Sequence, residues 1–313
     1  MAPDPLFPVS RPHYARQMAV GDGHMVYVEE CAALHGQPVL FLHGGPGSGC
    51  SPTQRRLFDP QRYHAILFDQ RGCGRSRPLG SIEANTTEHL VADLEYLREA
   101  LGIAEWIVFG GSWGSLLALA YAQEYPESVR GLVLRGIFLG SADEISAYVQ
   151  GCHGAAPAAW QAFANAMPAA EHGDLLAAYA RRILAYDPAV AGTAARAWLD
   201  YERALMGEPP LSEAPDAVLL AKARIQVHYL SHQCFLAPGQ LLAGVERLRH
   251  IPTAIVQGMA DPVCPPQVAE RLHRAWPEAT WVPVAGAGHG GLSAPIAKAC
   301  IKALGWVAEE VAG

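Results

Sequence analysis

Along the first 140 residues, short apolar runs alternate with longer amphipathic segments. Pro38-Val39-Leu40-Phe41-Leu42 is apolar throughout and flanked by glycines, and Tyr63–Phe68 and Ile107–Phe109 are similar. A continuous run of this length marks a strand covered on both faces, whereas a half-exposed strand alternates. Gln17–Glu29 does alternate, around Gly21-Asp22-Gly23, and predicts a hairpin. Leu90, Leu94, Leu97 and Leu101 fall on one helical face, opened by a capping residue within Asn85-Thr86-Thr87-Glu88 and stopped by Gly102. Ser115–Ala120, rich in Ala and Leu, predicts a second helix, and Val129–Phe138 another strand. After the hairpin the order is strand, loop, strand, loop, helix, strand, helix, strand. That alternation predicts an α/β fold, a mainly parallel sheet with helices on both faces.

The pattern changes after Gly140. Ser141–Phe235 is Ala-rich with helical periodicity, in candidate helices Ala142–Val149, Ala158–Ala166, Asp174–Ala185, Ala189–Leu205 and Asp216–Leu230. Pro157, Pro168, Pro188 and Pro209-Pro210 punctuate them. We read 141–235 as an inserted all-helical cap, and 1–140 with 236–313 as one core. Strand character returns at Thr253–Gln257 and Thr280–Val284, and a last helix is expected over Ile296–Val311.

Composition sets limits on this picture. The 313 residues suffice for one large core with an insertion, and the net charge of −7 argues against a nucleic-acid partner. Seven cysteines, odd in number and without C-x-x-C spacing, read as reduced thiols. No apolar run is long enough to span a bilayer, and Met1–Tyr14 has no apolar signal segment. The expected location is the cytoplasm; nothing in the pattern sets an oligomeric state.

Chemistry concentrates at strand ends. Gly110-Gly111-Ser112-Trp113-Gly114 holds G-x-S-x-G between a strand and a helix. Such a turn holds the serine in a strained conformation with its hydroxyl lifted clear of the sheet, and the flanking glycines avoid clashes with strand and helix. A serine hydroxyl needs a base, and the base an orienting acid. In this architecture they follow in the order Ser, acid, His. Asp261 follows the strand ending at Gln257, and His289 follows the one ending at Val284. His43 and His64 precede the serine and read as structural, His228 and His232 lie in the insertion, and Asp69 reads as bracing its own glycine turn. The oxyanion hole is expected from the N–H groups of Trp113 and Gly45, the latter in the loop His43-Gly44-Gly45-Pro46-Gly47. Cys73 and Cys264 are placed near the site. Acyl transfer by a triad needs no cofactor, and no His/Cys cluster has metal-ligand spacing.

These motifs, with Asp69-Gln70-Arg71-Gly72-Cys73-Gly74-Arg75-Ser76, Leu132–Phe138, Ala223–Tyr229 and Asp261-Pro262-Val263-Cys264-Pro265, resemble the prolyl aminopeptidases (proline iminopeptidases) over nearly the whole chain. The resemblance implies the α/β-hydrolase fold, Ser112, Asp261 and His289 as catalytic residues, and removal of an N-terminal proline from small peptides or amino-acyl compounds. It also implies a lid whose glutamates receive the substrate's amino group. Glu202 matches one of them. Gln226 and Gln150 stand where the family has acids, and Gly290-Gly291-Leu292-Ser293 lacks the glutamate that follows the family's histidine. An amidase or esterase with a retuned cap is the alternative on the same core, and a binding protein with an idle triad is a third reading.

Overall fold

The computed structural model describes residues 4–151 and 154–312. Its strands are β1 (Pro12–Gly21), β2 (His24–Ala32), β3 (Gln37–Leu42), β4 (Tyr63–Asp69), β5 (Trp106–Ser112), β6 (Val129–Ile137), β7 (Thr253–Gly258) and β8 (Thr280–Val284). They form one sheet in the order β1-β2-β4-β3-β5-β6-β7-β8. β2 pairs antiparallel with β1 and β4, and every other pairing is parallel. The hairpin turns on Asp22 (φ 51°) and Gly23 (φ 76°), the two positive values that a two-residue hairpin turn requires. It is longer than its alternation predicts, because β1 already begins at Pro12.

The helices of the first half are α1 (Thr87–Ala100) and α2 (Trp113–Glu124), with Thr86 as the cap of α1. Alternate residues of one strand serve opposite faces. Leu40 and Leu42 of β3 join the core formed with α1 and α2, while Val39 and Phe41 pack with the C-terminal helix. This explains why these strands read as unbroken apolar runs. From β3 the chain winds to one side through β4, and from β5 to the other through β6, β7 and β8. The reversal lies between β3 and β5, and the crevice beyond the carboxyl ends of such a pair is where a parallel sheet binds ligands.

Between β6 and β7 the described residues form helices and turns with no strand. They are α3 (Ala142–Ser146), α4 (Pro157–Asn165), α5 (Leu175–Ile183), α6 (Pro188–Leu205), α7 (Ala217–Ser231) and the short α8 (Gln240–Ala243). Where the sequence predicts one helix over 142–149, α3 stops at Ser146 and the chain continues as a π-helical turn, Ala147–Gly151. Phe163 stacks on Tyr179 and Tyr201, with centroids 4.3 and 4.5 Å apart, and Trp198 closes the cluster edge-on. This cluster is continuous with the core around α1 and α2. Tyr229 of α7 packs edge-on to Trp113 at 4.6 Å and donates its hydroxyl to Asn85 Oδ1 at 2.7 Å. The chain ends with α9 (Pro266–Ala275) and α10 (Ala294–Glu310). The sequence reading leaves out α9, a helix of 10 residues in which only Ala269 and Leu272 are buried.

Candidate active site

Ser112 ends β5 and starts α2 with φ 57° and ψ −124°. A non-glycine residue held there costs about 1–3 kcal/mol and persists only where the surroundings fix it. They do: a Cβ at Gly110 would stand 2.1 Å from the Gly114 carbonyl oxygen, and one at Gly114 would stand 2.2 Å from that of Leu42. The Ser115 hydroxyl donates to the Ser112 carbonyl at 2.7 Å and accepts the Phe138 N–H at 3.1 Å. The turn is thereby tied to the end of β6, and the positive end of α2 lies behind the serine.

Asp261, after β7, and His289, after β8, meet: His289 Nδ1 donates to Asp261 Oδ2 at 2.7 Å. The other carboxylate oxygen accepts the N–H groups of Val263 and Cys264 at 2.8 and 2.9 Å. The acid is thus buried and fixed in orientation, and His289 turns Nε2 away from it. A Cβ at Gly258 would stand 2.5 Å from the Gly288 carbonyl oxygen, so the two loops meet through paired glycines. Ser112 and His289 line one cavity. The Ser112 hydroxyl lies 3.9 Å from Cys264 Sγ; among the described residues no hydrogen bond joins it to His289. Nucleophile–base contacts are often long before substrate binds.

Sequence reasoning gave no role to the end of β6. Gly136 (φ 58°) passes beneath the pair, where a Cβ would stand 3.4 Å from the imidazole and 3.5 Å from Asp261 Oδ2. Arg135 Nη1 donates to the His289 carbonyl at 3.0 Å. The signal was the glycine doublets: Cβ atoms at Gly111 and Gly291 would stand 2.5 and 2.9 Å from the Arg135 guanidinium.

The loop after β3 is held by His43. Its Nε2 accepts the Gln70 N–H at 3.1 Å, so Nδ1 carries the proton and donates to the Gly44 carbonyl at 2.9 Å. Burial lowers the His43 pKa, which keeps this neutral form. The Gln70 side chain donates to the His43 carbonyl at 3.2 Å and accepts Trp113 Nε1–H at 2.8 Å. One latch therefore joins the loops after β3 and β4 to the first residue of α2, and Gly45 and Trp113 both line the cavity. The rivals are engaged elsewhere. Asp69 accepts from Cys50 and Arg75, His64 contacts Glu30 at 3.0 Å, and His228 and His232 contact the backbone carbonyls of Asn85 and His228.

The cavity, about 520 Å³, reaches from this site to α6 and α7. Glu202 and Gln226 line it. Gln150 is not brought to its wall; it donates to the His172 carbonyl at 3.3 Å. The Gln226 amide, standing where the family has an acid, is engaged by its neighbours: its Oε1 takes the Trp198 Nε1–H at 3.0 Å, and Nε2 donates to Glu202 Oε1 at 2.9 Å. An indole N–H only donates, which fixes the orientation of the amide. Lys222 Nζ lies 2.5 Å from Glu202 Oε2. Sequence reasoning missed this lysine, although its position four residues before Gln226 puts both on one face of α7. No group of three or more His, Cys, Asp or Glu side chains among the described residues is placed to hold a metal ion.

Cys264 lines the cavity, whereas Cys73 is buried away from its wall. Burial pushes the Cys264 thiol well above its ordinary range, so alkylation is expected to be slow. A mercurial that binds the thiol would fill the space before Ser112. Cys264→Ser is expected to keep activity within about threefold and to lose mercurial inhibition, since a serine leaves the catalytic groups in place. An activity titration with p-hydroxymercuribenzoate measures both.

Residues 37–293 match the family model for the alpha/beta hydrolase fold. The chain is 45% identical over 305 residues to a proline iminopeptidase of Arabidopsis thaliana, covering 93% of this chain and 80% of that one. It is 42% identical over 304 residues to that of Neisseria gonorrhoeae, covering 96% and 97%. Among solved structures, a proline iminopeptidase of Mycobacterium smegmatis superposes with a TM-score of 0.64 at 20% identity, covering 96% and 99%. The esterase RhEst1 of Rhodococcus gives 0.60 at 19%, covering 94% and 98%. At these identities the two structures speak for the fold.

Proposed function

The chain belongs to the proline iminopeptidase family of the α/β-hydrolase fold, and from that premise we propose a serine aminopeptidase that releases an N-terminal proline from small peptides through an acyl-enzyme on Ser112. The observation that carries the assignment of residues is the Asp261–His289 pair at 2.7 Å, facing the cavity into which the strained Ser112 opens. With Nδ1 engaged by Asp261, Nε2 of His289 takes the Ser112 proton as the hydroxyl attacks the prolyl carbonyl. The N–H groups of Trp113 and Gly45 receive the developing oxyanion. His289 then protonates the leaving amine, and water, deprotonated by the same imidazole, releases the acyl group.

In this reading residues 141–235 are the cap, and Glu202 is the carboxylate set to face the substrate's amino group. The described cysteines are all free, which fits a reducing cytoplasm. No helix among the described residues is long and apolar enough to cross a membrane.

The test compares prolyl and alanyl β-naphthylamides with a simple p-nitrophenyl ester. Release of naphthylamine from the prolyl compound, with the alanyl one slower, is the expected result. Ester turnover with no release from either amide overturns the aminopeptidase reading.

A further inference from the structure

Hydrolysis at the first residue of a peptide places an α-amino group beside the reacting carbonyl. If opposite charge is to hold that group, a carboxylate on the cavity wall must supply it. Asp143, Glu144, Glu202 and Glu208 reach the wall. Glu144 is spent on the start of α3: it accepts from the Leu139 N–H at 2.9 Å and from the Ser141 N–H and hydroxyl at 3.1 and 2.5 Å. It also faces Arg271 at 3.3 Å. Glu208 is half exposed and pairs with Arg203, and Asp143 is exposed, where water screens its charge.

That leaves Glu202, and both of its oxygens are occupied. Lys222 takes one and the Gln226 amide the other. Gln226 cannot turn to offer its acceptor without leaving the Trp198 indole unpaired in a buried place. The root of Lys222 is fixed as well, since a Cβ at Gly47, in the oxyanion loop, would stand 3.0 Å from Lys222 Cα. The lysine therefore rises from a point pressed against the catalytic loop and ends on the carboxylate.

We propose that Lys222 is a specificity-determining residue: a resident ammonium that neutralises Glu202 before substrate arrives, so that the subsite favours a protonated prolyl group over an uncharged acyl group only weakly. A carboxylate can accept about four hydrogen bonds, so a substrate ammonium either shares Glu202 with Lys222, meeting a pair already neutral with a like charge beside it, or displaces the lysine. The two ion pairs are alike, and their exchange yields little net attraction. An apolar five-membered ring loses nothing by leaving the Lys222–Glu202 pair intact. This inference rests on the aminopeptidase reading and names the acyl class that the site admits.

The test uses two β-naphthylamides of nearly equal shape, prolyl and cyclopentanecarbonyl, which differ by the ring nitrogen and its charge. For the wild-type protein a kcat/KM ratio of prolyl to cyclopentanecarbonyl below about thirtyfold supports the proposal and a larger one overturns it. Lys222→Met frees Glu202 and is expected to raise that ratio about tenfold or more, through a lower KM for the prolyl compound, while Lys222→Arg leaves it within about threefold. A lysine with a merely structural role lowers both substrates alike, and an unmoved ratio in Lys222→Met overturns the proposal. Should that variant fail to fold, the wild-type ratio decides alone. Turnover of a p-nitrophenyl ester with neither amide cleaved overturns the aminopeptidase reading and this inference together, whereas cleavage of both with the wrong ratio overturns the inference alone.

Discussion

Ser112→Ala is expected to lower kcat for prolyl β-naphthylamide by about 10⁴-fold or more, with little change in thermal stability. In the proposed mechanism the hydroxyl is the atom that forms the acyl bond, and no other side chain at the elbow can replace it. Cys264, the nearest candidate, has a thiol that burial holds protonated, and it sits beside the reacting position, on the loop of Asp261. What survives the substitution is the oxyanion loop and the cavity, which orient substrate and lend a little to attack by water. Stability is spared because the contact of the hydroxyl with Cys264 Sγ is long, at 3.9 Å, and weak; the tight contacts of the turn belong to Gly110 and Gly114, which the substitution leaves alone. Steady-state kinetics and a thermal melt measure the two effects. An organophosphate should add its mass to the wild-type protein and not to the variant. A variant within tenfold of wild-type kcat would remove Ser112 from the chemistry.

The second large effect is expected from Asp261→Asn, about 10⁴-fold in kcat. Asparagine has the shape of aspartate, and its carbonyl oxygen can still accept the N–H groups of Val263 and Cys264. Its NH₂ then faces His289 Nδ1, where the carboxylate had accepted a proton. Two donors cannot share that contact, so the imidazole moves its proton to Nε2, the atom that must accept from Ser112. The loss falls on kcat, because the cavity that binds substrate is unchanged. The proton on the imidazole nitrogens, read by NMR, should move from Nδ1 to Nε2. Full activity with the proton still on Nδ1 would show that Asp261 does not orient the histidine.

Much of this site was legible in the sequence because its chemistry is local. A serine between glycines at the junction of a buried strand and a helix can fold in few ways. Asp261 and His289 could be placed because each directly follows a recognisable strand. The cap was harder. Its helices were visible from alanine-rich periodicity, yet the turn at Ala147–Gly151 departs from the α pattern with no proline to announce it. Gln226 illustrates the remaining gap. Its type was read correctly as an amide, but which end faces the cavity depends on Trp198, 28 positions away and on another helix. Lys222 likewise gained its meaning only when α6 was packed beside α7. Chemistry set by one segment could be read from letters; chemistry set by the contact of two helices needed coordinates.

The aromatic nucleus under α4, α5 and α6 runs without interruption into the packing around α1 and α2. The helical segment between β6 and β7 is therefore no detachable part of this molecule. Sliding one of its helices to admit a bulkier guest would open voids in the same interior that supports the catalytic sheet, at a cost of several kcal/mol for each large side chain unseated. Adaptation to new substrates has to proceed by exchanging the few side chains that face the cleft, with the scaffold around them held still.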